Sequence, residues 1–374
     1  MNVAIVHDWL TGMRGGEKCL EVFCELFPQA TLFTLLHNKG SVSPTIEAMR
    51  IKTSFIQKFP NAASGYRNYL PFFPRAIESF DFTGFDFILS SSHCVAKGAR
   101  KPKNSFHLCY CHTPMRYAWS FFDQYFGDYP FPKKQFVRAV TGRLKAWDLR
   151  SLDRVDTFVA NSRTTQSRIK DIYQRDATVI NPPVDVERFK PASSGAREDF
   201  YLCVTALAPY KKVDVLVDAF NRVADKKLYI VGDGQLRADL EQRKTSANIK
   251  FLGWVGDEAL TALYQRAKAF VFAAEEDFGI SPIEAQAAGL PVIAFGKGGV
   301  RETVVGLNET ANLAATGIFF REQTPESVIS ALGQFEKNAQ AFSSAGIRAH
   351  ALQFSRPAFK DAMKRFIAGK IELS

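Results

Sequence analysis

Short apolar runs alternate with longer amphipathic stretches along most of the chain, and this alternation limits the fold more than any other sequence feature. The first run, VAIV at residues 3–6, precedes a glycine-containing loop at 11–16 and a helical pattern at about 17–27. In that pattern Leu20, Phe23 and Phe27 recur at a spacing that forms one apolar stripe on a helix. The alternation is typical of β-α-β units around parallel sheets, so it predicts an α/β fold.

The pattern occurs twice, which indicates two domains of similar size. Further strands are predicted at 85–90, 106–110 and 157–160, and then at 200–204, 227–231, 249–252, 269–272 and 291–295. Asn161-Ser162 is expected to cap the helix after the strand at 157–160. A break at 181–185 and a linker-like KPASSG at 190–195 place the boundary. We predict domains at 1–190 and 191–356, a C-terminal helix at 357–374 that crosses back to the first domain, and a cleft between the carboxyl ends of both sheets.

The net charge indicates an anionic partner without identifying it. Lys and Arg number 48 against 38 Asp and Glu, a formal charge of +10 that would suit nucleic acid, a phosphorylated metabolite or a membrane surface. No apolar run approaches the ~20 residues that span a bilayer, and the N-terminus lacks a basic leader. The six Cys show no metal-binding pair and no disulfide framework. These features predict a soluble protein of a reducing, cytoplasmic compartment.

The strongest local signal is the segment 275–291, EEDFGISPIEAQAAGLP. A buried strand ends, a glycine turn follows, and a helix is predicted to begin with Ser281 as its N-cap, Pro282 in its first position and Glu284 completing a capping box. The exposed amides at such a helix start would bind a phosphate or diphosphate. Three residues would supply these amides: Gly279, Ile280 and Ser281.

Two acidic residues of the same segment allow more than one interpretation. Glu276, at the strand end, could accept hydrogen bonds from sugar hydroxyls, or it could be a solvated loop acid. Glu284 could contact a ligand, or it could only cap its helix. Lys211, in PYKKVD at 209–214, could supply a point charge for phosphate oxygens, or it could form a solvated pair with Lys212.

Three separated stretches together resemble glycosyltransferase family 4, retaining enzymes with the GT-B fold of two Rossmann-like domains. They are the E-x7-E pair of Glu276 and Glu284 within EEDFGISPIEAQAAGLPVIAFGKGG, the PYKKVD stretch, and two N-terminal pieces, HDWLTGMRGGEK at 7–18 and CHTPMRYAW at 111–119. Their wording is most similar to bacterial mannosyltransferases that build O-antigen and capsule repeat units. The resemblance covers nearly the whole chain in the right order.

The resemblance implies roles for particular residues. Lys211 would neutralise the diphosphate of a nucleotide sugar, Glu276 would contact sugar hydroxyls, and Glu284 would contact the ribose. His112 would lie beside the transferred sugar, and we expect His112, Glu276 and Lys211 to be the catalytic residues. The other donor-binding residues expected are Gly15, Gly16, Lys212, Val255, Phe278, Gly279, Ile280, Ser281 and Glu284. His93 has no such support and is interpreted as structural.

One departure from the family pattern concerns the diphosphate. The family usually has an arginine five residues before the lysine, and this chain has Ala206 there. Lys212, Arg301 or Arg14 could replace the missing cation. The chain also has no D-x-D pair to hold a divalent metal. We therefore expect transfer without a metal or other cofactor, with retained anomeric configuration, and with the lysine and backbone amides stabilising the leaving group.

Donor and acceptor follow from the resemblance alone. GDP-mannose is the expected donor, with a UDP-sugar as the alternative, and a polyprenyl-pyrophosphate-linked acceptor at the inner face of the cytoplasmic membrane is expected. Basic and aromatic residues crowd 97–150 and would suit that surface, or they could be a solvated exterior over a phenylalanine-rich core. Among these aromatics are Trp119, Phe121, Phe122, Tyr125, Phe126, Tyr129 and Phe131.

Two other function classes fit the sequence less well. A different GT-B enzyme, such as a sugar-nucleotide epimerase or a phosphorylase, is disfavoured by the joint PYKKVD and E-x7-E motifs. A nucleic-acid binder is disfavoured because the chain has no helix-turn-helix, RNP-like or zinc pattern and its basic residues are not concentrated in one run.

Overall fold

The computed structural model describes residues 1–120, 122–127, 129–192, 197–309 and 314–371. They form two compact units: unit 1 is Met1–Pro183 with Phe359–Ser374, and unit 2 is Val184–Ala358. Several predicted features lie outside the described residues, namely 193–195 of the linker, 372–374 of the last helix, Phe121 and the side chain of Tyr125.

Unit 1 is built on a parallel sheet. Its strands are β1 (Val3–His7), β2 (Thr31–Thr34), β3 (Arg50–Thr53), β4 (Phe87–Ser92), β5 (Phe106–Cys111), β6 (Thr157–Ala160) and β7 (Ala177–Val179). Their order is β3-β2-β1-β4-β5-β6-β7, and every pairing in it is parallel. The helices are α1 (Gly15–Leu26), α2 (Pro44–Glu47), α3 (Ala62–Gly65), α4 (Phe73–Glu78), α5 (Arg116–Trp119), α6 (Phe122–Phe126), α7 (Phe131–Arg150) and α8 (Arg163–Arg168).

Unit 2 repeats the same topology with a shorter sheet. Its strands are β8 (Tyr201–Val204), β9 (Leu228–Val231), β10 (Ile249–Gly253), β11 (Ala269–Phe272), β12 (Val292–Phe295) and β13 (Gly317–Phe320). They pair in parallel in the order β10-β9-β8-β11-β12-β13. The helices are α9 (Val213–Asn221), α10 (Arg237–Arg243), α11 (Asp257–Arg266), α12 (Ile280–Ala287), α13 (Val300–Thr303), α14 (Pro325–Lys337) and α15 (Ser344–Ala351). Both sheets thus confirm the predicted pair of Rossmann-like α/β domains.

The apolar runs become strands because both faces of each sheet are covered. In β11, Ala269 and Val271 pack into one core cluster of unit 2, while Phe270 and Phe272 pack into the other. Successive side chains of a strand point to opposite faces, so a strand buried on both sides is mostly apolar. This explains why the predicted strands match β1, β4–β6 and β8–β12 within one or two residues at each end.

Four strands were not predicted, and each has only three or four residues. β3 is the polar edge sequence RIKT, with three of its four residues exposed, and β7 has only three residues. β2 and β13 each have four residues and begin with Thr31 and Gly317. The predicted N-cap Ser162 is confirmed, since its Oγ accepts the Thr165 N–H at 3.0 Å.

The two units divide at Pro183/Val184, seven residues before the predicted boundary at 190/191. The intervening residues belong to unit 2 because Val184, Val186 and Phe189 are buried in its core. The Val184 N–H also donates to the Phe354 carbonyl at 2.9 Å.

The last helix, α16 (Arg356–Ile371), contributes to the core of unit 1. Phe359, Met363 and Ile367 are buried there at helical spacing, in the cluster that contains Val3 and Ile5 of β1. Lys360 adds an ion pair with Glu25, with the Nζ–Oε2 distance at 2.8 Å.

Helix α7 is anchored on one side and exposed on the other. Its residues Leu144 and Trp147 face inward, and the buried Asp148 pairs with Lys97 at an Nζ–Oδ1 distance of 2.8 Å. Trp119 also donates from Nε1 to Asp148 at 2.8 Å. Within the described residues, no helix combines the length and the apolar character needed to cross a bilayer.

Candidate functional site

Two predicted ligand-binding residues of unit 2 meet at the centre of its sheet. Lys211 ends a short 3-10 helix that follows β8, and Glu276 follows β11. These strands are neighbours at the point where the strand order reverses, which is where parallel α/β sheets place their ligands. Lys211 Nζ and Glu276 Oε1 form an ion pair, and the two side chains are only 14% and 17% exposed.

The charge of Lys211 also affects the pKa of Cys203 in the strand β8. Burial raises the pKa of the Cys203 thiol in β8 to about 12, and the positive charge of Lys211 opposes that rise. Cys203 is therefore a neutral, inert thiol at neutral pH. Of these two side chains, only Lys211 is charged and able to bind an anion at this end of β8.

Glu276 is held in place by two glycines that the sequence interpretation did not include. The Gly299 N–H donates to the Glu276 carbonyl at 2.8 Å, and Gly298 pairs with Glu276 as an isolated bridge. A Cβ at Gly298 would lie 2.4 Å from the Glu276 carbonyl oxygen, and one at Gly299 would lie 2.3 Å from that of Asp277. Only glycine lets the two backbones approach so closely. The GKGG sequence at 296–299 indicates a close approach of backbones at this point of the chain.

The predicted N-cap of α12 is wrong. The cap is Gly279, with φ +86°, and the helix begins at Ile280, so Ser281 lies in the first turn. A glycine can adopt this backbone without strain, whereas a serine there could not. Pro282 occupies the third helical position, where its missing N–H would have had no partner within the helix.

Glu284 does not cap α12 but faces the neighbouring helix α11. The buried Tyr264 hydroxyl of that helix donates to Glu284 Oε2 at 3.2 Å. Burial, together with the charge of Glu284, raises the pKa of Tyr264 well above its usual range, so the hydroxyl remains a donor. The predicted capping box at Glu284 is therefore wrong.

The remaining predicted residues of unit 2 occupy loops and helix starts. Phe278 is 3% exposed and packs edge-on against Phe354, so only its backbone is available to a ligand. Val255 follows β10 and packs partly buried against a core cluster. Lys212 caps α9 with a left-handed backbone, φ +54°.

The position of the missing arginine lies in a tightly packed loop. Ala206 is exposed and follows β8. A Cβ at Gly232 would lie 1.9 Å from the Thr205 carbonyl oxygen, so this loop and the turn after β9 are in direct backbone contact. Of the suggested replacements, Arg301 donates from Nη1 to both carboxylate oxygens of Glu309, at 2.7 and 3.0 Å.

In unit 1 the predicted residues Gly16 and His112 are neighbours. Gly15 and Gly16 are the first residues of α1, and His112 directly follows β5. A Cβ at Gly16 would lie 3.6 Å from His112 Nε2 and equally far from His7 Cε1. His112 Nε2 lies 2.8 Å from the Ser91 hydroxyl, and that hydroxyl lies 3.1 Å from His7 Nδ1. Burial and the neighbouring histidines His93 and His7 lower the pKa of His112 to about 3.

Asp8 organises the loop beside this cluster, and sequence analysis missed it. Its buried carboxylate accepts backbone N–H groups at 2.7 to 2.9 Å from four consecutive residues, 93–96. It also lies 3.1 Å from His93 Nδ1, and the His93 ring packs edge-on against Trp9. Burial lowers the pKa of His93 against the opposing pull of Asp8.

No group of three or more His, Cys, Asp or Glu residues in the described part of the chain is placed to hold a metal ion.

Comparison with known proteins assigns both halves of the chain. Residues 185–349 match the family model described as Glycosyl transferases group 1, and residues 31–188 match the model described as Glycosyltransferase Family 4. The chain is 33% identical over 178 residues to the GDP-mannose-dependent monoacylated alpha-(1-6)-phosphatidylinositol monomannoside mannosyltransferase of Corynebacterium glutamicum, covering 40% of this chain and 47% of that relative. It is also 33% identical over 162 residues to the D-rhamnosyltransferase WbpZ of Pseudomonas aeruginosa, covering 39% and 42% of the two chains. The aligned stretches thus span about half the length of the curated relatives.

A solved structure shares the whole fold. The Anabaena protein HepE in complex with UDP superposes with a TM-score of 0.73 over 99% of this chain and 100% of its own, at 16% identity.

The close backbone contact beneath Glu276 yields a stability prediction. Replacing Gly299 by alanine forces its Cβ into the Asp277 carbonyl, so we expect the free energy of unfolding to fall by roughly 1–3 kcal/mol in urea denaturation. Gly333, inside α14, is the matched control because a Cβ there meets nothing within 4 Å. Alanine at Gly333 should raise stability by roughly 0.5–1 kcal/mol, and equal effects of the two variants would contradict the close contact at Gly299.

Proposed function

Because this chain belongs to glycosyltransferase family 4 and has the GT-B fold of two Rossmann-like domains, we propose that it is a retaining, metal-independent glycosyltransferase. It moves a hexose from a nucleotide-diphosphate sugar to an acceptor in bacterial surface polysaccharide synthesis. The pairing of Lys211 with Glu276 at the strand-order reversal of unit 2 is the observation that carries the proposal. It supports a role for Lys211 as the cation for a diphosphate and for Glu276 as the carboxylate for sugar hydroxyls.

Lys211 and Glu276 have complementary roles in donor binding. The two charges neutralise each other, which keeps a carboxylate tolerable in a largely buried position. A bound diphosphate offers Lys211 a second anion, and the ammonium group has three donors with which to contact both. Glu276 then accepts hydrogen bonds from hydroxyls of the transferred sugar.

Glu284 is proposed to bind the ribose of the donor. Tyr264 donates to one carboxylate oxygen of Glu284 and so orients the group. The proposed role of Glu284 is to accept a hydrogen bond from a ribose hydroxyl.

Leaving-group stabilisation comes from fixed donors. Departure of a nucleoside diphosphate builds negative charge on the leaving oxygen, and preorganised donors stabilise that charge. Lys211 supplies a full charge, and the amides from Phe278 to Ser281, at the start of α12, supply partial charges. Gly15 and Gly16 present further amides in unit 1, where His112 contacts the transferred sugar. The acceptor hydroxyl passes its proton to a diphosphate oxygen, so the mechanism needs no separate general base.

GDP-mannose is the proposed donor. The Corynebacterium relative is described as GDP-mannose-dependent, and the motifs of this chain are most similar to those of mannosyltransferases. A UDP-sugar is the second candidate, because the HepE structure with the same fold holds UDP.

The proposed acceptor is linked to polyprenyl pyrophosphate at the inner membrane surface, and α7 supports that proposal. The outward side of this helix exposes Phe131 at 75% and Phe136 at 66%, and Arg143 and Arg150 are exposed further along it. The helix carries six basic residues, and its one acidic residue, Asp148, is buried against Lys97. Exposed aromatics among cations complement an anionic lipid surface. The protein is accordingly proposed to lie peripherally on the cytoplasmic membrane.

A thermal-shift panel tests the donor and the absence of a metal requirement. A ligand at 100 times its dissociation constant stabilises the fold by about 2.7 kcal/mol. We expect GDP and GDP-mannose to raise the melting temperature more than UDP, ADP and their sugars, with the same shift in EDTA. A larger shift with UDP-sugars would favour the second donor. Loss of binding or turnover in EDTA would contradict the metal-independent mechanism.

Glu276→Gln tests the sugar contact. The amide keeps the size of the side chain but removes its charge, so we expect transfer to fall on the order of 100-fold or more while the fold survives. Glu275→Gln is the matched control, because Glu275 pairs instead with Lys297 at 3.2 Å. It should keep activity within about twofold. Normal turnover by Glu276→Gln would remove Glu276 from the site.

Vesicle co-sedimentation tests the membrane surface of α7. The full chain should bind vesicles of phosphatidylcholine with phosphatidylglycerol better than pure phosphatidylcholine, and added salt should weaken the binding. Arg143→Glu with Arg150→Glu should weaken it at least about tenfold, since each cation near the surface contributes about 1 kcal/mol. Lys364→Glu with Arg365→Glu makes the same charge change on exposed positions of α16 and should bind more tightly than the α7 variant. Equal losses in both double variants would reduce the effect to net charge and contradict a specific role of α7.

A further inference from the structure

Four buried or half-buried side chains of unit 1 form a continuous series of polar contacts that ends at His112. Glu17 Oε1 lies 3.7 Å from His7 Nε2, His7 Nδ1 lies 3.1 Å from Ser91 Oγ, and Ser91 Oγ lies 2.8 Å from His112 Nε2. His7 and Ser91 are fully buried, and Glu17 is 3% exposed. The series joins α1, β1, β4 and the end of β5.

Glu17 fixes the direction of the series because a carboxylate only accepts. Its Oε2 accepts the Arg14 N–H at 3.0 Å, so Oε1 is the oxygen that faces His7. Burial opposes ionisation of Glu17, but its polar contacts with His7 and the backbone outweigh burial and lower the pKa of Glu17 below its ordinary value. At 3.7 Å the contact is longer than a hydrogen bond, yet a negative oxygen at this range favours the proton on Nε2 of His7.

The remaining contacts of the series follow from the number of protons. In the tautomer with its proton on Nε2, His7 presents a lone pair at Nδ1 and accepts from Ser91. The Ser91 hydroxyl has a single proton, so once it donates to His7 it can only accept from His112. His112 is neutral at physiological pH because its pKa is lowered to about 3, so a proton on Nε2 leaves Nδ1 with a lone pair.

We propose that Glu17, His7 and Ser91 form a tautomer relay that holds His112 with its proton on Nε2, so that Nδ1 accepts a hydrogen bond from a hydroxyl of the transferred sugar. The relay itself depends only on contacts within unit 1, whereas the sugar contact rests on the proposed function. Ser91 is a positioning residue, since it acts through His112. The strand neighbour Ser90 makes the equivalent contact to a different histidine, with its Oγ 2.8 Å from His107 Nε2.

Nitrogen NMR of the full chain labelled with ¹⁵N-histidine tests the relay without any substrate. The chain has six histidines, and the His112 signals are assigned by their loss in His112→Gln. We expect His112 to show a protonated Nε2 and an unprotonated Nδ1. Ser91→Ala should mix the two tautomers of His112, Ser91→Thr should restore the original tautomer through its retained hydroxyl, and the control Ser90→Ala should leave His112 unchanged.

Two results would overturn the relay. One is a wild-type His112 with its proton on Nδ1, which would mean that the series runs in the opposite direction. The other is a Ser91→Ala spectrum in which the tautomer of His112 is unchanged. The wild-type spectrum decides the first point even if Ser91→Ala fails to fold.

Kinetics then separate the relay from the proposed sugar contact. In Ser91→Ala we expect kcat to fall about tenfold, with a smaller change in Ser90→Ala, as for residues that orient a ligating or catalytic histidine. A tautomer change with unaltered kcat would leave the relay standing and would overturn the sugar contact of His112 instead.

Discussion

In a wholly parallel sheet the carboxyl ends of all strands lie at one edge, and the candidate sites of this chain depend on that constraint. Lys211 and Glu276 are far apart in the sequence, yet they form an ion pair because β8 and β11 are neighbours in the sheet. In unit 1 the same constraint brings His7, Ser91 and His112 together from the ends of β1, β4 and β5. The polar chemistry of each unit therefore lies where the apolar runs stop.

Much of this arrangement was predictable from the sequence because the constraint acts on patterns that can be read locally. Strands buried on both faces are mostly apolar, so β11 is predicted residue for residue, whereas the polar edge strand β3 gives no such signal. Lys211 and Glu276 were found through motifs that follow strands. The cap of α12 was predicted wrongly because serine is the commoner cap, and the left-handed backbone of Gly279 is a property of the turn that precedes the helix.

Contacts between distant backbones and single polar atoms were beyond sequence reasoning. Ser90, Ser91 and Ser92 are identical in type, and only the register of β4 against its neighbours decides which of them meets His112. The role of Asp8 could not be predicted from the sequence either, because its partners are backbone amides of residues 93–96. Gly298 and Gly299 could have been recognised from the sequence as positions of close backbone approach. The segment that they approach could not have been recognised.

The place of α16 has a consequence for how the chain reaches its folded state. Unit 2 is, in sequence, an insertion within unit 1, because residues 359–371 complete the hydrophobic core around β1. During synthesis the ribosome releases β1 before unit 2 and α16 after it. The apolar surface around Phe23 therefore stays exposed while unit 2 is synthesised and folds. During that interval a chaperone can bind an apolar surface that is buried in the folded protein.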